Sequence, residues 1–134
     1  MIKTKSNLLV FDKQDKNGNI FPKECVVTIP EFVPVLEFGC SNNDPSKCIG
    51  MITSHNRNDS RIEIETAINF KDEDILKKAI NDGLIYSGGY YILNKMHTEN
   101  GVKVIDSLEL KSVGLYTDDV FGDNDLRMEV IEDD

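Results

Sequence analysis

Ser87 stands in the segment of this chain whose residue types and spacing most suggest chemistry. It follows Tyr86 and precedes Gly88 and Gly89, shortly after Gly83. A serine hydroxyl is a poor nucleophile until a base takes its proton, and neighbouring glycines would let a substrate backbone approach and offer N–H donors to an oxyanion. The pattern therefore predicts either an exposed nucleophile or a strand with a glycine bulge in which the serine fills space.

His55 and His97 are the chain's only histidines, so they are the candidate bases for Ser87. Neutral imidazole is the usual proton acceptor near neutral pH. His55 lies in the polar stretch 54–59, which predicts a hairpin-like turn, and His97 lies beside Asn100-Gly101. We therefore expect both histidines in surface turns, with a relay to Ser87 as the alternative.

The segment 13–24 matches part of a calcium-binding EF-hand loop. Asp15, Asn17 and Glu24 fall at positions that supply oxygen ligands in such loops. Lys13, however, occupies the first position, where a carboxylate is needed and a cation would repel the metal. The alternative is a turn stabilised by its Asp, Asn and Gly residues, and we expect no metal and no cofactor.

Three cysteines, Cys25, Cys40 and Cys48, are an odd number in a chain without an evident leader. This favours reduced thiols in a cytosolic setting. A zinc site between Cys40 and Cys48 would need two further ligands, because structural zinc is bound by four.

Charge and composition limit the classes of partner. The chain has 134 residues and a net charge of −9, with 40% hydrophobic and 29% charged residues. The negative charge disfavours nucleic-acid binding and suits a basic protein partner. No apolar run is long enough to span a membrane, and residues 1–5 lack the apolar core of a signal peptide, so we expect no export.

Short apolar segments separated by polar turns predict a mainly β domain with one prominent helix. Asp72 is placed to cap that helix, Ile75, Leu76, Ala79 and Ile80 would share its buried face, and Gly83 would end it. Asn100-Gly101 predicts a tight hairpin. We expect a closed or partly closed β-barrel or sandwich over residues 1–117, and then an acidic extension or edge strand over residues 118–134.

Several segments, taken in order, resemble the prohead (maturation) protease family of tailed bacteriophages, whose fold is shared with herpesvirus assemblins. They are Asp15–Pro22, Pro34–Leu36, Ile49-Gly50, Gly83–Gly89 and Leu108–Val113. The resemblance implies a serine protease fold in which Ser87 corresponds to the nucleophile and Glu109 to a late acidic residue, although the register would place Leu110 there. The family's histidine base falls within residues 37–41, where this chain has no histidine.

The missing base predicts a protein that keeps the fold without a working triad. We expect an auxiliary or decoration protein of the virion, made in the host cytoplasm, which binds the major capsid protein or other virion proteins in multiple copies. Two alternatives remain. One is an active maturation protease that cleaves scaffold or capsid protein with Ser87, His55 or His97, and Glu109; the other is a small β-rich binding module or assembly regulator.

Overall fold

The computed structural model describes residues 1–38 and 44–131 and shows a mainly β protein, with 54% of residues in strands. Its strands form one curled sheet with the shape of a half-barrel. The elements are β1 (Ile2–Val10), β2 (Asn19–Ile20), β3 (Val26–Thr28), β4 (Pro34–Leu36), a 3-10 helix (Pro45–Lys47), β5 (Cys48–Arg57), β6 (Arg61–Ile68), α1 (Glu73–Asn81), β7 (Tyr86–Glu99), β8 (Val102–Tyr116) and β9 (Glu129–Val130). The predicted β-rich class with one helix is confirmed.

Strand β8 organises the sheet. One edge of β8 pairs with β7, and its other edge pairs successively with the short parallel strands β2, β3 and β4. The sheet then continues through β5, β6 and β1 to β9. The curl of this sheet brings β7 next to β1, and we call the junction between these two strands the β1–β7 seam.

The long β7–β8 hairpin turns at Asn100-Gly101, as the sequence predicts. Both residues have positive φ angles, 51° and 79°, which is the conformation that a two-residue hairpin turn requires. Leu108, Leu110, Val113 and Leu115 of β8 are fully buried. This hairpin therefore supplies one wall of the hydrophobic core.

The β5–β6 hairpin corrects the prediction for His55. His55 lies within β5, opposite Ile64 of β6, and the turn begins later, at Asn58. The side chain of Asn58 accepts hydrogen bonds from the backbone of Ser60 and Arg61, which fixes the turn there. Pairing with β6 outweighs the local turn tendency of the polar stretch 54–57.

The same hairpin explains Gly50 of the Ile-Gly segment. A Cβ atom at Gly50 would overlap the backbone carbonyl oxygen of Ala67 on β6. Glycine is needed here because the two strand backbones approach closely.

Helix α1 begins and ends where the sequence predicts, but one of the residues predicted on its buried face is exposed. Leu76 and Ile80 are buried, whereas Ile75 is 64% exposed, so its assignment to the buried face is wrong. Asp72 occupies the N-cap position without a side-chain capping hydrogen bond. Gly83 follows the helix with a φ angle of 75°, as expected for a glycine that ends a helix.

The C-terminal segment is built into the domain. Leu126 and Met128 are buried, and β9 pairs antiparallel with β1 through Thr4 and Lys5. On its other side the segment bonds to the start of β7, since Ser87 N–H donates to Leu126 and Met128 N–H donates to Ile85. Residues 126–131 thus lie between β1 and β7 and close one end of the seam.

Candidate functional site

Ser87 lies inside the β1–β7 seam. Its side chain is turned inward and the residue is 1% exposed. The hydroxyl donates a hydrogen bond to the backbone carbonyl of Asn7 on β1 at 2.8 Å, and its own N–H donates to the carbonyl of Leu126 at 3.0 Å. Both donors of the candidate nucleophile are therefore engaged in holding the sheet together.

Gly88 and Gly89 make room for two tyrosine rings. A Cβ atom at Gly88 would overlap the ring of Tyr116, and one at Gly89 would overlap the ring of Tyr91. Both glycines are partly exposed and line the cavity described below. Packing thus accounts for the two glycines that the sequence suggested as oxyanion donors.

Tyr91 provides the second side-chain bridge across the seam. Its hydroxyl donates to the backbone carbonyl of Leu8 at 3.2 Å, one residue beyond the Asn7 carbonyl that Ser87 uses. Burial raises the pKa of Tyr91 well above its usual value, so the hydroxyl stays protonated and remains a donor. Two hydroxyls of β7 thus satisfy successive carbonyls of β1 in place of a backbone ladder.

A cavity of about 460 Å³ opens beside the seam. Its walls include Leu8, Ser87, Tyr91, Tyr116 and Phe121. Although Ser87 contributes to the wall, its hydroxyl is buried and already bonded to Asn7, so it is not presented to a molecule in the cavity. The cavity is of ligand-binding size, but it lacks an activated nucleophile.

His97 lies far from Ser87 on the same strand. Ten residues of extended chain separate them, which corresponds to about 30 Å. His97 Nδ1 lies 2.7 Å from Asp106 and Nε2 lies 3.3 Å from Glu99, and these carboxylates raise the pKa of His97, Asp106 more than Glu99. His97 is exposed, as predicted, but it lies within β7 opposite Val104 and not in the turn at Asn100-Gly101, so its assignment to a turn is wrong.

His55 and Glu109 are also apart from Ser87. His55 is exposed on β5, which β6 separates from β1. Glu109 pairs with Lys111 on β8, six residues from Leu115, the partner of Ser87 in the β7–β8 ladder. The structure therefore does not assemble the relay of Ser87, histidine and Glu109 that the protease alternative requires.

The calcium-like loop is a turn closed by Asp15. One carboxylate oxygen of Asp15 accepts hydrogen bonds from the backbone N–H groups of Asn17 and Asn19, each at 2.9 Å. Lys13 forms ion pairs with Asp123 and Asp125 of the C-terminal segment, and Glu24 is exposed. Within residues 1–38 and 44–131, no three His, Cys, Asp or Glu side chains are grouped to hold a metal ion.

The cysteines lie in different environments. Cys25 is buried, and burial raises the pKa of its thiol to about 11. Cys48 is exposed at the start of β5, while Cys40, the other end of the suggested zinc loop, lies outside the described residues together with residues 39 and 41–43.

Asp119 is a structural residue that sequence reasoning missed. The residue is 5% exposed, and its carboxylate accepts hydrogen bonds from the backbone N–H groups of Phe121 and Leu126, both at 2.9 Å. It fixes the turn that carries the C-terminal segment back into the seam. Its position before Phe121 in an acidic stretch was a signal for a turn, but nothing in the sequence identified it as the buried carboxylate.

Comparisons with known proteins give no family assignment. No family model matches the chain, and neither the curated proteins nor the solved structures include a match. Among the described residues, the only α-helix is too short and too polar to cross a bilayer.

Proposed function

We propose that this chain is a non-enzymatic structural protein of a tailed-phage particle, which binds the major capsid protein and keeps a prohead-protease-like fold without its catalysis. The proposal that the protein is not an enzyme is supported by the hydrogen bond from Ser87 Oγ to the Asn7 carbonyl. The capsid assignment is supported by the order of the family-like segments along the chain.

The state of Ser87 argues against acyl transfer. To attack a carbonyl, Ser87 would have to break its bond to the partly buried carbonyl of Asn7 and find a proton acceptor. Both histidines lie elsewhere, on β5 and near the β7–β8 turn. Loss of a triad base lowers the rate by several orders of magnitude, so binding is the better-supported activity.

The charge of the protein suits a basic partner surface. The net charge is −9, and acidic side chains are exposed around the domain. They include Glu24, Glu31, Asp59, Glu65, Asp74 and Glu129. Such a surface attracts a basic patch on a partner and speeds its association.

Several carboxylates of residues 118–125 are engaged within the domain. Asp118 pairs with Lys16, Asp123 and Asp125 pair with Lys13, and Asp119 is buried. Of these carboxylates, Asp119 is buried and serves the fold, so the proposed capsid contact would use the exposed acidic side chains named above.

The test is mass spectrometry of particles purified from the phage or prophage whose genome encodes the chain. We expect the chain in mature virions at a fixed ratio to the major capsid protein, with unchanged capsid-protein cleavage when Ser87→Ala replaces the natural chain. A chain absent from particles would overturn the capsid assignment in favour of a binding module or assembly regulator. Loss of capsid or scaffold cleavage with Ser87→Ala would instead support the protease.

A further inference from the structure

The outer edge of β7, defined here as the side of Lys95–Glu99 that faces away from β8, is an exposed strand edge. Apart from a bridge between Tyr86 and Arg127, β7 pairs with β8 alone in the part of the chain that the structure describes. All side chains from Asn94 to Glu99 are exposed. An edge of this kind presents backbone N–H and C=O groups to a further strand.

The charged side chains along this edge determine which partner strand, and in which register, can pair with it. His97 and Glu99 lie on the same face of β7, where their side chains are in contact. Lys95 lies two positions before His97, where the β7–β8 register is irregular on both sides of Lys95. In an antiparallel pair of two identical strands centred on His97, Lys95 of each copy lies directly opposite Glu99 of the other. Opposite charges in facing positions stabilise a strand pair, whereas like charges destabilise it.

Other registers lack this match. Centring the pair on Lys95 places two ammonium groups against each other, and centring it on Met96 places Lys95 opposite His97. A lysine in an edge strand normally discourages pairing, but here a carboxylate four residues away on the same strand is positioned to receive it from a second copy.

We propose that two copies of this chain associate through the outer edges of β7, antiparallel about His97, with a Lys95–Glu99 ion pair at each end of the ladder. The dimer extends the sheet across a two-fold axis, in which the same surface contributes from both copies. This inference stands on the strand edge and its charges and does not depend on the proposed capsid role.

Charge reversal tests the register directly. We expect the natural chain to dimerise with a dissociation constant of about 100 μM or tighter, measured by sedimentation velocity at about 0.15 M salt. Lys95→Glu and Glu99→Lys should each weaken the dimer at least about tenfold, because the two-fold axis applies each change twice. The double variant, Lys95→Glu with Glu99→Lys, should restore association to within about threefold.

Lys103→Glu is the matched control, since Lys103 is exposed on β8 opposite Thr98, away from the outer edge. It changes net charge as Lys95→Glu does, and we expect less than about a threefold effect. Glu99→Lys separates local pairing from overall repulsion. This substitution makes each copy less negative, so an effect of overall charge alone would strengthen the dimer. The proposed register predicts the opposite, because the lysine introduced at position 99 of one copy would face Lys95 of the other.

Disulfide trapping gives a second readout. With Cys40 and Cys48 replaced by serine, His97→Cys should cross-link two copies, because facing residues of an antiparallel pair have Cα separations suited to a disulfide. Lys103→Cys should not cross-link. A natural chain that is monomeric up to about 1 mM, single reversals that match Lys103→Glu, or a double variant without recovery would each overturn the proposal.

Discussion

Ser87 and Asn7, eighty positions apart in sequence, are joined by a hydrogen bond of 2.8 Å from the serine hydroxyl to the asparagine carbonyl. The bond crosses the β1–β7 seam, where Tyr91 and Leu8 form a second bond of the same type. A residue that sequence reasoning treats as a candidate nucleophile thus serves to close the half-barrel.

Ser87→Ala is expected to lower the free energy of unfolding by about 1–3 kcal/mol, because it leaves the Asn7 carbonyl without its donor. Ser112→Ala is the matched control. Ser112 is also a fully buried serine, on neighbouring β8, but its hydroxyl has no hydrogen-bond partner among the described residues. Its removal should be neutral or stabilising. Urea denaturation measures both, and equal losses would contradict the structural role of Ser87.

Gly88→Ala is expected to cost about 1–3 kcal/mol of stability, since the added methyl group overlaps the Tyr116 ring. If steric overlap is the cause, Tyr116→Ala should relieve it. The double variant should then lose less stability than the sum of the two single losses. Additive losses in thermal or urea denaturation would show that Gly88 is needed for another reason.

Asp119→Asn is expected to loosen the C-terminal segment. An amide keeps one acceptor oxygen where the carboxylate uses two, so the N–H of Phe121 or Leu126 loses its partner, at a cost of about 1–3 kcal/mol. Amide hydrogen exchange should quicken over residues 121–131. Asp123→Asn is the control, because the Asp123 side chain is 87% exposed; comparable exchange in both variants would count against this role.

His97 is expected to titrate above its ordinary pKa of 6.5, because Asp106 and, to a lesser extent, Glu99 stabilise the imidazolium. The protonated form of His97 therefore stabilises the folded state at pH values below the unfolded pKa, and this stabilisation is lost as the pH rises through the folded pKa. Because Asp106 is the main cause of the raised pKa, an NMR titration should give a higher midpoint for His97 in the natural chain than in Asp106→Asn. Identical midpoints would show that the contact does not persist in solution.

Local signals in the sequence predicted the elements whose conformation is decided locally. The Asn100-Gly101 turn and the end of α1 at Gly83 follow from residues that favour positive φ, and the structure has both. The polar neighbours of His55 favour a turn, whereas pairing with β6 keeps His55 in a strand. Ile75 fits the helical spacing, but the packed side of this short helix does not extend to it.

The seam could not be predicted because its partners are distant in sequence. Ser87 meets Asn7, Tyr91 meets Leu8, and the C-terminal segment returns between the two strands. A local Ser-Gly-Gly pattern is compatible with both catalysis and packing, and only the positions of Asn7, Tyr91 and Tyr116 distinguish them.

Reaction with a fluorophosphonate tests most directly whether Ser87 is a structural residue, since this reagent labels serines that a base has activated. Intact-protein mass spectrometry after prolonged incubation should show no adduct on the natural chain, while an active serine hydrolase in the same tube is labelled. A stoichiometric adduct that disappears in Ser87→Ala would contradict the account, because it would require a free and activated hydroxyl at Ser87.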